Sequence, residues 1–193
     1  MKNSIRKIEG NWDLGYVLDK HSQSSIYTGD NAQGHPQYET IRTEVGEALF
    51  QLKYRQDWKQ IPLLAAEIAA SLYPRYKDVG MLIPMPASNL RARQPVTELA
   101  EALGKLVKLP VFENLLNKKR NGKQLKNLTS KAEKVAALQD SFSINDQISG
   151  EGEWNALIVD DLYATGASME AACAALRTYP KVRKIYVAAL TWR

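Results

Sequence analysis

From Thr40 onward the apolar positions Ile41, Val45, Leu49, Leu52 and Tyr54 recur at helical spacing with polar residues between them, which predicts an amphipathic helix with Thr40 as its candidate cap. A second helix is predicted over Pro62 to Tyr73, with Pro62 in the first turn, where its missing N–H leaves no bond unmade. Before Thr40 the pattern is different. Residues 10–40 alternate short apolar groups with Gly, Asn, Asp and Ser, the mark of strands joined by turns. After the helices, MLIPM at 81–85 reads as a short apolar strand, and Pro86-Ala87-Ser88 leads to a helical stretch from Pro95 to Lys108. Val111-Phe112 can hold a strand, 117–131 reads as a loop or hairpin, and a helix is expected near Lys131 to Gln139. The chain closes with a buried strand over Ala156 to Asp160, a helix over Ala167 to Thr178 and a strand over Ile185 to Leu190. Strands alternating with helices predict an α/β fold, a doubly wound parallel sheet. The β-rich start adds a small hood, so the expected division is a lobe over 1–45 and an α/β domain over 46–193.

Composition narrows the class. With 193 residues, 45% of them hydrophobic and 24% charged, the chain is long enough for one substantial core. No apolar run reaches the roughly 18 residues that span a bilayer, and the start MKNSIRKIEGNW has no apolar segment before a cleavage site. The expectation is a cytoplasmic protein with no membrane partner. Cys173 is the only cysteine and His21 and His35 the only histidines, so neither a disulfide nor a zinc cage is expected. The formal charge of +5 is concentrated: between Lys105 and Lys134 nine basic residues face Glu113 and Glu133 alone. Such a segment suits a solvated face, a phosphate-bearing ligand, or nucleic acid, single-stranded DNA included.

The densest chemistry lies in ALIVDDLYATGAS, residues 156–168. In an open parallel sheet, ligands bind beyond the carboxyl ends of the strands, so a strand ending in Asp160-Asp161 delivers two acids to that crevice. Ala164 to Ser168 then make a tight loop into a helix. Its backbone N–H groups and positive helix end can cradle a phosphate, with Thr165 and Ser168 adding hydroxyls and Gly166 permitting close approach. Acids beside a phosphate cradle suit a ribose 5-phosphate, the carboxylates accepting from sugar hydroxyls. A pair of acids that merely capped a strand and a helix would not need the Thr-Gly turn. A P-loop is excluded because GxxxxGK[ST] is absent, and a receiver domain because only 32 residues follow Asp161.

The same stretch resembles the signature of the type I phosphoribosyltransferases: an apolar strand, two acids and a Thr-Gly phosphate loop. QLKYRQDW and IPMPASNLRAR look like the ComF (GntX-like) competence-protein branch, and the resemblance runs from about Gly46 to the C-terminus. It implies that Asp160 and Asp161 bind the ribose hydroxyls of phosphoribosyl pyrophosphate (PRPP), and that Ala164, Thr165, Gly166, Ala167 and Ser168 hold its 5-phosphate. It makes Pro84, Met85, Pro86, Ala87 and Ser88 a pyrophosphate loop, with Lys53, Arg91 and Arg93 as further contacts. Mg²⁺ is implied as cofactor, reached by Asp160 and Asp161 through water or PRPP, and an unidentified base or amine as acceptor. The basic segment carrying Lys118, Lys119, Arg120 and Lys123 is expected to be a flexible loop able to close over the site. Monomer and homodimer both remain open.

The chain also departs from the branch. A four-cysteine zinc module is missing, and Arg93-Gln94-Pro95-Val96 stands where the branch reads Arg-Gly-x-Asn-Gln. Ala164 occupies the position at which enzymes salvaging 6-oxopurines carry an Asp that serves the base as acid or base, which argues against hypoxanthine and guanine. DDLYATGASM is instead similar to the adenine phosphoribosyltransferases, the alternative enzyme reading. A third reading keeps the fold and phosphate site without transfer chemistry, as a PRPP-, nucleotide- or DNA-binding protein of DNA-uptake type.

Overall fold

A computed structural model describes residues 1–89, 91–119 and 141–193. Four strands form its parallel centre: β2 (Leu14–Lys20), β5 (Val79–Pro84), β8 (Trp154–Tyr163) and β9 (Val182–Trp192). The short strand β1 (Arg6–Lys7) adds antiparallel to β2, giving the order β1-β2-β9-β8-β5. Val111 extends the sheet by a single parallel bridge to Leu82, the remnant of the strand expected at Val111-Phe112.

Neighbouring residues along these strands face opposite layers, and both layers are apolar. Leu18, Leu82, Leu157 and Leu190 pack against α1 (Glu44–Arg55), α2 (Gln60–Glu67) and α3 (Pro95–Val107). Val17, Ile83, Ile158 and Val187 face the other way, toward α4 (Ala167–Arg177) and the two-stranded sheet of β6 (Leu116–Lys118) and β7 (Phe142–Ile144). Cys173 is buried in that second layer, where burial pushes its thiol up to about 12, so it is an inert core residue. This is the doubly wound parallel sheet that the alternating pattern predicts.

Residues 1–45 divide between two structures. β1 and β2 join the central sheet, because Val17 and Leu18 have an apolar layer on each side to enter. Only β3 (Ser22–Asp30) and β4 (Pro36–Arg42) form a hairpin of their own. Thr40 belongs to β4, its hydroxyl 3.0 Å from that of Ser25, and so does not cap α1. Thr43 does: its Oγ1 accepts from the Gly46 N–H at 3.0 Å and donates to the Lys20 carbonyl at 2.6 Å. That bond ties the start of α1 to the end of β2. Gly46 is needed there, since a Cβ would lie 1.9 Å from the His21 carbonyl oxygen. The helix expected over Pro62 to Tyr73 begins at Gln60 and tightens unevenly after Glu67, through a π-helical turn at Ile68–Leu72 and a 3₁₀ turn at Tyr73–Arg75.

Candidate functional site

All four parallel strands end on one edge of the sheet, and the candidate residues gather there. β8 carries Asp160 and Asp161 near its end; its buried stretch Asn155 to Val159 anchors them between β5 and β9. The Asp161 N–H donates to Asp160 Oδ1 at 2.8 Å, fixing one acid relative to the other. Lys53, in the last turn of α1, reaches across to Asp161 Oδ2 at 2.7 Å. Arg91 Nη1 donates to the Lys53 carbonyl at 3.2 Å and so joins the loop after β5 to the end of α1.

A cavity of about 280 Å³ opens between these elements. Its lining includes Lys53, Met85, Pro86, Ala87, Ser88, Arg91, Asp160, Asp161 and Ser168, so the strand end, the loop after β5 and the first turn of α4 converge on one space. Pro84 closes β5 and is buried behind the loop. Arg93 turns away: its guanidinium binds Glu98 and lies 3.9 Å over the Trp58 ring. Ala164 and Thr165 are exposed beside the cavity, and Gly166 precedes Ala167 at the start of α4 with φ +80. A Cβ on Gly166 would meet the Tyr163 hydroxyl at 2.8 Å, which is why a glycine stands at this turn.

The basic segment gives a mixed outcome. Lys118 is the last residue of β6, a fixed position rather than a loop: its Nζ donates to Ser88 Oγ at 2.9 Å and lies 5.5 Å from the Phe142 ring centroid. Lys119 is exposed and its N–H donates to the Ser141 carbonyl at 2.6 Å. Arg120, Lys123 and the helix expected near 131–139 lie outside the described residues.

Several lining residues were not visible from the sequence. Asn89, Gln94, Pro95, Val96, Thr97, Phe142 and Leu162 also line the wall, as does Lys118, with Gln94 Nε2 donating to the Asn89 carbonyl at 3.1 Å. Gln94-Pro95 is a helix-start signal that could have pointed to the first group. Phe142 carries none, because only the pairing of β6 with β7 brings it to Lys118.

Charge in the cavity is tightly coupled. Burial pushes the Asp160 carboxyl well up and the neighbouring Asp161 adds to it, against the opposing pull of the Asp161 N–H, Lys53 and Lys118. Burial draws the Lys118 ammonium down, partly offset by Asp160. On the hairpin side, His21 Nδ1 stands 3.2 Å from Thr191 Oγ1, which donates to the Asp161 carbonyl at 3.1 Å. Its imidazole is held below its ordinary pKa by burial, then by Arg193, Arg42 and Lys53.

Mg²⁺ finds a partial donor set here. The acid pair supplies hard oxygens, and Asp161 already shares one with Lys53. Among the described residues no cluster of three or more His, Cys, Asp and Glu side chains could hold an ion unaided. Asp160 and Asp161 therefore fit an octahedral cation that takes most of its ligands from water and a bound phosphate.

No protein-family model matches the chain, and no curated protein matches it at a significant level. Solved structures do resemble it. An adenine phosphoribosyltransferase from Leishmania tarentolae superposes with a TM-score of 0.50 over 98% of this chain and 95% of its own, at 8% identity. A hypoxanthine phosphoribosyltransferase from Staphylococcus aureus gives a TM-score of 0.41 at 15% identity, over 69% of this chain and 63% of its own. The UMP synthase of Leishmania donovani gives 0.41 at 16% identity, over 84% of this chain; the chain spans only 28% of that enzyme's length. The likeness is one of fold: this chain has the mixed α/β architecture, with a central parallel sheet, of the type I phosphoribosyltransferases.

Proposed function

We propose that the chain is a phosphoribosyltransferase that binds PRPP at the carboxyl edge of its sheet and transfers the 5-phosphoribosyl group to a base or amine. The observation that carries this reading is the convergence of Asp160, Asp161, Ser88 and Ser168 on one cavity with Lys53 and Arg91. In the reaction the bond from ribose C1 to the pyrophosphate oxygen breaks and a bond from C1 to the acceptor nitrogen forms. Positive charge builds on the sugar and negative charge on the leaving pyrophosphate. Asp160 and Asp161 accept from the ribose 2- and 3-hydroxyls and orient the ring. Ser168 and the N–H groups around Gly166 hold the 5-phosphate at the start of α4. The loop Met85 to Ser88, with Lys53 and Arg91, receives the pyrophosphate. Bound Mg²⁺ would add charge neutralisation at that leaving group. No protein nucleophile takes part, so rate enhancement comes from positioning and electrostatics.

Ala164 provides no carboxylate for a 6-oxopurine, so adenine and simple amines are the first acceptors to assay. The likeness of QLKYRQDW and IPMPASNLRAR to the ComF-like branch supports an acceptor outside purine salvage. Calorimetric titration with PRPP, with and without Mg²⁺, tests the reading against Asp160→Asn/Asp161→Asn. Expected is saturable binding that the double variant weakens by at least about 100-fold with its fold intact. Equal affinity in the two proteins, or binding of single-stranded DNA in place of PRPP, sinks it.

A further inference from the structure

Transfer of a ribosyl group to a nitrogen leaves a proton to dispose of, and the carboxyl edge of the sheet holds few groups able to take it. Ala164 has no carboxylate. Glu47 is paired with Arg42 and Glu98 with Arg93, while Asp19 is buried within β2 and accepts from the Lys20 N–H. His21 is differently placed. Its backbone N–H donates to the Trp192 carbonyl at 2.9 Å, which fixes it where β2 and β9 end. Its ring is oriented by the fully buried Thr191, whose Oγ1 lies 3.2 Å from Nδ1 and donates to the Asp161 carbonyl at 3.1 Å. A hydroxyl has one proton, and Thr191 gives it to a carbonyl that can only accept. Nδ1 is therefore the donor to Thr191, and in the neutral ring Nε2 carries the free lone pair. Nε2 has no hydrogen-bond partner among the described residues and is open to solvent. Burial, then Arg193, Arg42 and Lys53, favour the neutral ring, with Asp161 opposing them.

We propose that His21 Nε2 is the general base that takes the proton from the attacking nitrogen of the acceptor, which is accordingly one whose nitrogen has a hydrogen to lose. The inference rests on the PRPP reading above and adds the proton acceptor that reading lacks. Attack at C1 comes from the face opposite the leaving group. With pyrophosphate over the loop after β5 and ribose over the end of β8, the order β2-β9-β8-β5 leaves the acceptor the space above β9 and β2, where His21 stands. The nitrogen lone pair forms the bond to C1 as the C1–O pair departs on pyrophosphate. The nitrogen turns cationic, its proton passes to Nε2, and the imidazolium releases it to water. A nitrogen already bonded to C1 is acidic enough for a weak base, and the surrounding cations hasten the release.

The first readout needs no acceptor. Nitrogen NMR of the two imidazoles, assigned with His21→Asn, should show His21 neutral near pH 7 with its proton on Nδ1; a proton on Nε2 overturns the inference. The second is pyrophosphate release from PRPP and Mg²⁺ with adenine or methylamine, for wild type, His21→Asn and His21→Ala, beside calorimetric titration of PRPP. Asparagine keeps an N–H for Thr191 but cannot take a proton, so it separates base from tether. Both variants should lose about 100- to 10,000-fold in kcat with PRPP affinity unchanged, and free imidazole should restore activity to His21→Ala. Wild-type kcat should rise with pH through a value below about 6.5, a limb that both variants lack. Activity in His21→Asn equal to wild type, or PRPP affinity lost along with kcat, overturns the inference and leaves the PRPP reading intact. Wild type that binds no PRPP and releases no pyrophosphate with either acceptor overturns both.

Discussion

β8 and β3 are strands of ten and nine residues with opposite surroundings. β8 lies between two parallel neighbours and under two apolar layers, with Ala156 to Val159 fully buried. β3 pairs with β4 alone, and the hairpin exposes Ile26, Tyr27, Tyr38 and Ile41. The difference teaches where chemistry can sit. Asp160 and Asp161 hold their geometry because the strand beneath them cannot shift without opening both cores. The hairpin, joined to the body at its ends, is free to vary without disturbing that geometry.

Breaking the β8 side should give the largest effects. Ile158→Ala removes a side chain that is 0% exposed from the centre of one layer, and should destabilise the fold by about 2–5 kcal/mol, read by denaturant unfolding. A loss under about 1 kcal/mol would mean that this layer repacks and that β8 is not the rigid support described. Gly166→Ala comes next. At φ +80 an L-residue is strained, and the added methyl meets the Tyr163 hydroxyl, so about 1–3 kcal/mol is expected. The same change should weaken 5-phosphate binding more than it weakens binding of free pyrophosphate, which sharpens the assignment of that loop.

The acid-bearing strand and its loop were legible in the sequence because each signal there is local. ALIVDDLYATGAS shows an apolar run, two acids and a Thr-Gly turn within 13 consecutive residues. MLIPMPAS was legible for the same reason, as a strand followed at once by its loop. Lys118 was not. Its fixed position depends on β6 pairing with β7, more than twenty residues further along the chain, and three-residue strands leave no periodicity to detect. The partner of β2 was not legible either: alternating apolar and polar residues over 10–40 point to strands but say nothing of their partners, here β9 at the far end of the chain. Arg93 shows the converse limit: it lies close in sequence to the loop after β5, yet Glu98 and Trp58 draw it away.

Between the two extremes stands Asp13, which leads into β2 and fastens it to β9. Its carboxylate accepts from the Ile185 N–H at 2.8 Å and pairs with Arg177 at 2.6 Å. Burial pushes this carboxyl up, but the Ile185 N–H and Arg177 together outweigh that and hold it below its ordinary value. A depressed carboxyl stabilises the fold fully above the unfolded-state value near pH 4 and loses that contribution as pH falls through the folded value. Asp13→Ala should therefore lower the melting temperature at pH 7, and the gap to wild type should narrow below about pH 4. A gap independent of pH would assign the effect to packing.

The smallest effect belongs to the hairpin. Tyr27 and Tyr38 face each other across β3 and β4 with ring centroids 5.8 Å apart, and are 54% and 59% exposed. A cross-strand aromatic pair on so open a surface contributes about 0.2–1 kcal/mol. Tyr27→Ser/Tyr38→Ser should therefore cost no more than that and leave PRPP affinity unchanged. A loss comparable to that of Ile158→Ala would show that this face is covered in solution, and the contrast between the two strands would then hold only for the isolated chain. Unchanged stability with a large loss of affinity would instead bring the hairpin into the ligand site, against its description as an appendage that the acid pair does not need.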